Sequence, residues 1–193
     1  MRMTHMVVMM AVAVSARAGA KSDSQRLVVC IEDGADGAAA NAAARASSLF
    51  LSAGVKLEWH SEVGFCQGQP DAIVVTLLTS TPKTFHPGAL AFALPYEGVH
   101  IQVFYDRIAG AERELAPALL AYVIVHEITH ILQGIDWHSK RGVMKAHWDS
   151  YDYTRMKWGQ LPFTAFDIEM IQGGLAARAA RNAGGTVVAA VAP

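Results

Sequence analysis

The sequence predicts an α+β domain, a mixed β-sheet packed with helices, one of which carries clustered histidines. Three observations lead there. Short strand-like runs, apolar or alternating, recur at 26–31, 55–60 and 71–78, each bounded by turn signals. An alanine-rich stretch at 38–53 separates the first two. Residues 118–133 (ALLAYVIVHEITHILQ) are apolar nearly all round, the pattern of a helix buried in a core.

In chain order, 26–31 (RLVVCI) is the first strand, and Asp33-Gly34 and Asp36-Gly37 mark a loop. Residues 38–53, with Leu49 and Phe50 near the end, form a helix stopped by Gly54. In 55–60 (VKLEWH), Val55, Leu57 and Trp59 share one face of a strand. A polar loop through Cys66, Gly68 and Pro70 precedes 71–78 (DAIVVTLL), the most strand-like run in the chain. After a loop with Pro82 and Pro87 come two more strands, 89–94 (ALAFAL) and 99–108 (VHIQVFYDRI), with Ile101, Val103 and Tyr105 alternating in the second. Pro117 suits the first turn of the 118–133 helix, and Gly134 can take the left-handed conformation that stops it. Residues 149–158 form a short helix with Asp149 as N-cap, broken by Gly159 and Pro162. Thr164 and Asp167, three apart, approximate a capping box and open a helix to about Arg181. Residues 182–193 read as a low-complexity, disordered tail.

The 193 residues amount to one domain, taken as 21–181, and a formal net charge of −1 argues against a general nucleic-acid binder. Residues 1–20 have the marks of a signal peptide: Arg2, an apolar run from Met6 to Val14, and small residues at Ala16, Ala18 and Ala20. That run is too short to span a bilayer. The expected location is therefore secreted or periplasmic, with no stable membrane insertion. Export permits disulfides; Cys30 and Cys66 either pair or remain two separate buried thiols.

Chemistry concentrates in residues 126–148. His126-Glu127-Ile128-Thr129-His130 is an HExxH motif, and positions i and i+4 of a helix lie one turn apart on one face. Two imidazoles so placed suit zinc. Glu127 stands beside them, able to take a proton from a water that the metal activates. A chance match on a surface helix is the bland account. The apolar context opposes it, because burying two His and a Glu without a purpose is costly.

These residues carry a resemblance to metzincin-type zinc metallopeptidases. More closely, the chain is similar to a group of small secreted bacterial HExxH proteins, largely uncharacterised. The matching positions are His126 to His130, Gly134, His138-Ser139, and Gly142-Val143-Met144-Lys145-Ala146-His147-Trp148. Upstream, Ala91 to Pro95 and Val103 to Arg107 match, as do Gly159-Gln160-Leu161 and Phe163-Thr164 downstream. The resemblance implies a metzincin-like (zincin) fold, with zinc held by His126, His130 and His138 and Glu127 as general base. It also implies Met144 in a Met-turn beneath the metal, and the strand beginning at Ala89 and ending at Leu94 as the edge on which an extended peptide or protein substrate lies.

The spacing departs from the metzincin pattern. Gly134 is four residues after His130 and His138 four after Gly134, where the family has three and three. In strict register Gln133 takes the place of the glycine and Asp136 that of the third His, so His138 and Asp136 compete as third ligand, with His147 a further candidate. His60, His86 and His100 are isolated and fit surface or structural roles. Tyr151 or Tyr153 offers a hydroxyl for a developing oxyanion, as tyrosines after the Met-turn do in some metzincins, but the spacing is not the usual one and core packing is the preferred account.

The function expected is a monomeric zinc metalloendopeptidase. The alternative is a non-catalytic, zinc-stabilised binding domain whose metal site is closed by His147 or Asp136 as fourth ligand, since a structural zinc site is closed and a catalytic one keeps a position open.

Overall fold

The structure, a computed structural model, describes residues 25–32, 37–69, 71–93, 99–111 and 113–188. The expected signal segment, Leu94 and Pro95, and residues 189–193 of the expected tail lie outside them. Five strands form one sheet: β1 (Gln25–Glu32), β2 (Val55–His60), β3 (Ile73–Leu78), β4 (Ala91–Ala93) and β5 (His100–Phe104), in the order β2-β1-β3-β5-β4. The first four are mutually parallel, and β4 runs antiparallel to β5 at the edge. The sheet is thus mixed, as expected, and mostly parallel. Central parallel strands are covered on both faces, which is why Val29, Cys30 and Ile31 are buried in succession.

Parallel neighbours need a crossover. Between β1 and β2 it is α1 (Ala38–Ser52), whose Ala39, Ala42, Ala46, Leu49 and Phe50 form the buried face. The long apolar segment becomes α4 (Ala116–Gln133), packed against α1, the sheet, α5 (Ser150–Lys157) and α6 (Ala165–Val188). By length and composition α4 alone among the described helices could cross a membrane, but 83% of it is buried inside the fold, so it is a core helix. Tyr122 at its middle is fully buried, and its hydroxyl accepts a hydrogen bond from the Leu161 amide at 3.3 Å.

Four elements differ from expectation. The loop through Cys66 contains a short helix, α2 (Val63–Cys66), and Cys66 is disulfide-bonded to Cys30 of β1. The strand expected over 99–108 ends at Phe104, where α3 (Tyr105–Ala109) begins. Alternation in the sequence ran on through Tyr105, but the side chains of α3 are needed elsewhere: Asp106 accepts hydrogen bonds from the Thr81 amide and hydroxyl, and Arg107 donates to the carbonyls of His86 and Ala89. The edge strand is three residues long. The last helix runs beyond Arg181 to Val188, so residues 182–188 of the expected disordered tail are helical, although NAGGTVV has low intrinsic helix propensity.

Candidate metal centre

His126 and His130 sit one turn apart on α4, 8% and 7% exposed, with their Nε2 atoms 3.0 Å from each other. Gly134 then adopts φ 67°, and its amide bonds the His130 carbonyl at 2.9 Å, closing the helix. That left-handed turn is easy only for glycine. It sends the chain back so that the His138 ring lies 5.2 Å from that of His126 and 4.8 Å from that of His130. The ligand atoms of the three histidines fall within 4.8 Å of one another.

The backbone selects the tautomers. His126 Nδ1 is 2.9 Å from the Val143 carbonyl, and His130 Nδ1 is 3.0 Å from the Ile135 carbonyl. A carbonyl only accepts, so both Nδ1 atoms carry the proton and both Nε2 atoms keep a lone pair. The two lone pairs then confront each other, which is unfavourable until a cation lies between them. An Nδ1–H on a carbonyl is also the usual outer partner of a metal-ligating histidine. Tetrahedral zinc with bonds of about 2.0–2.1 Å sets ligand nitrogens roughly 3.3 Å apart, close to the His126–His130 separation. The donor set fits a zinc ion.

Electrostatics agree. Burial, then the neighbouring His130, depresses the His126 pKa to about 3. Burial also lowers the pKa of His130 and that of His138. All three are held neutral, the form that ligates. Burial pushes the Glu127 carboxyl up to about 7, so it changes charge where a general base for neutral-pH chemistry should.

His126 and His138 line a cleft of about 520 Å³, with His130 behind them. Ala89, Leu90 and Ala91, leading into β4, form one wall; Val123, His126 and Glu127 of α4 form another. Ala146, Trp148 and Tyr153 line the side beyond Met144. The turn there is tight. Gly142 has φ 80°, and a Cβ on it would run into the Pro162 carbonyl oxygen. The same oxygen accepts from the Val143 amide at 3.0 Å. Val143 therefore ties residue 162 to His126 through its two backbone groups, and Met144 beside it is fully buried.

The structure brings His126, His130 and His138 into one group, and His126, His138 and Glu127 line the cleft. Asp136 is exposed and lies outside the histidine group, although its charge acts on His130 and His138. His86 and His147 line the cleft without joining the group. His60 stacks on Phe65, and His100 is an exposed residue of β5. Tyr153 reaches the cleft, whereas Tyr151 is exposed beside Arg155. Sequence reasoning placed Trp148 in the motif but gave it no role; its ring meets His126 edge-on with centroids 5.5 Å apart. That reasoning missed the carbonyls of Ile135 and Val143, which carry no side-chain signal.

No family model and no curated protein matches the chain. Among solved structures it is similar to an archaemetzincin from Methanopyrus kandleri, with a TM-score of 0.54 and 16% sequence identity over 82% of this chain and 99% of that one. At that identity the likeness is one of fold.

Proposed function

We propose that this protein is an exported zinc-dependent metallopeptidase of the metzincin type. The carrying observation is the pair of imidazoles on α4 whose Nε2 lone pairs face each other at 3.0 Å, with His138 and Glu127 beside them in an open cleft. The archaemetzincin-like fold supports the reading. The Cys30–Cys66 disulfide supports an oxidising compartment, the periplasm or the external medium.

His126, His130 and His138 hold the metal in this reading. A bound zinc ion supplies Lewis acidity and lowers the pKa of water from about 15.7 toward roughly 7. Glu127 takes the proton from the attacking water and passes it to the leaving amine. Met144 gives the site a buried apolar support. β4 is the last strand in the sheet order, so its outer edge is open to an extended peptide, which would lie between β4 and α4. Among the described residues no fourth His, Cys, Asp or Glu joins the three histidines. This favours an open, catalytic site over a closed, structural one.

The test pairs zinc stoichiometry with a peptidase screen. Wild type should bind one zinc and cleave peptides, Glu127→Gln should keep the metal and lose turnover, and His138→Ala should bind zinc far more weakly. Turnover in Glu127→Gln removes it as the base. Normal zinc binding in His138→Ala redirects the third ligand to Asp136.

A further inference from the structure

The geometry points to Asp167 as the positioning residue for His138, acting through Ser139. This rests on the metal-site reading above. Two of the three histidines are oriented by their own helix and by carbonyls on Nδ1. His138 stands on a loop and is exposed, and among the described residues no carbonyl takes a hydrogen bond from its ring. What places it must act on the chain beside it.

Ser139 is that handle. Its amide donates to the Met144 carbonyl at 2.7 Å, and it forms an isolated β-bridge with Lys145. Its hydroxyl donates to Asp167 Oδ1 at 2.5 Å. Asp167 is fully buried in the first turn of α6, 28 residues away in sequence. The other oxygen, Oδ2, already serves the helix start by accepting from the Thr164 amide at 2.8 Å and the Thr164 hydroxyl at 2.7 Å. Helix capping therefore accounts for one oxygen and leaves Oδ1 to Ser139. A hydroxyl on a carboxylate is a charge-assisted bond, short and strongly directional, and a buried carboxylate has little freedom to give it up. The loop is thereby fixed to α6 one residue from the exposed ligand, in the manner of the outer partners that hold metal ligands elsewhere.

The experiment measures zinc affinity, by competition with a chromogenic chelator, and the visible spectrum of the cobalt(II)-loaded protein. Wild type, Ser139→Ala and Asp167→Asn are compared, each also in a His138→Ala background. Ser139→Ala and Asp167→Asn should each weaken zinc by about 10–100-fold and alter the cobalt bands. In the His138→Ala background the same substitutions should change affinity by less than about two-fold, because no third ligand remains to be placed. A merely structural role would weaken both backgrounds alike, and that result overturns the inference. Thr164→Ala, which removes a donor from Oδ2 and spares Ser139, should leave the cobalt spectrum unchanged. Wild-type affinity and spectrum in Ser139→Ala also overturn the inference while leaving the metal site standing. Failure of the wild type to bind zinc or cobalt overturns the site itself.

Discussion

The Nε2 atoms of His126 and His130 lie 3.0 Å apart, each with its proton drawn to the far side of the ring by a backbone carbonyl. The metal-free fold thus holds two lone pairs against each other, and a cation relieves the conflict. Zinc should stabilise the protein accordingly. At a free concentration about 100 times its dissociation constant it should add about 2.7 kcal/mol, raising Tm by roughly 5–10 °C for a chain of this size. Calorimetry before and after chelation checks this. An unchanged Tm across a zinc titration would mean that the native state has no preference for the ion.

Glu127 and His126 give the metal-free protein opposed pH dependences. The His126 pKa falls from 6.5 to about 3 on folding, so between those values the unfolded chain binds more protons and stability drops as pH falls. The Glu127 pKa rises from 4.5 to about 7, so over that window the folded chain holds the extra proton and stability drops as pH rises. Each group has a limiting slope of about 1.4 kcal/mol per pH unit. Glu127→Gln deletes the second effect alone. In chelator, the stability of Glu127→Gln relative to wild type should climb from about pH 5 to 7 and level off above that, as measured by urea unfolding. A constant difference would mean that burial does not raise this carboxyl.

Arg107 anchors the wall of the cleft that leads into β4. Its Nη1 donates to the His86 carbonyl at 2.6 Å and to that of Ala89, pinning the loop that leads into β4. Arg107→Ala should free this wall at a cost of about 1–2 kcal/mol of stability. Zinc content should stay at the wild-type level, since no histidine of the group touches Arg107. For a cleaved peptide KM should rise several-fold, with kcat less affected. A loss of zinc instead would place the effect at the metal.

Much of this site was legible because its chemistry is local. HEITH needs only a helix, and the apolar run with Pro117 and Gly134 at its ends delimits one; α4 extends from Ala116 to Gln133. Asp149 and the Thr164–Asp167 pair were equally readable as helix starts, and both close capping boxes. What escaped depends on residues distant in sequence. α3 was hidden because Tyr105 continues a strand-like alternation, and only the loop it latches explains the turn at Phe104. The Cys30–Cys66 pairing hinges on where α2 sits against β1. The bond from Ser139 to Asp167 joins a loop to a helix start through a carboxylate whose capping role already explained its presence.

Gly173 and Gly174 provide a test in which neighbouring positions should respond with opposite sign. Both lie within α6, where glycine normally costs roughly 0.5–1 kcal/mol relative to alanine. A Cβ on Gly173 meets nothing within 4 Å, so Gly173→Ala should recover about that amount. A Cβ on Gly174 would drive into the backbone carbonyl of Leu132, the penultimate residue of α4. A backbone atom cannot rotate away, so α6 must move off α4. Gly174→Ala should therefore destabilise by about 1–3 kcal/mol. Because Leu132 is two residues from His130, the shift should also weaken zinc binding, which Gly173→Ala should leave intact. Urea unfolding and zinc titration of the two variants decide the matter. Equal stabilisation by both would show that the helices do not approach as closely as this packing requires.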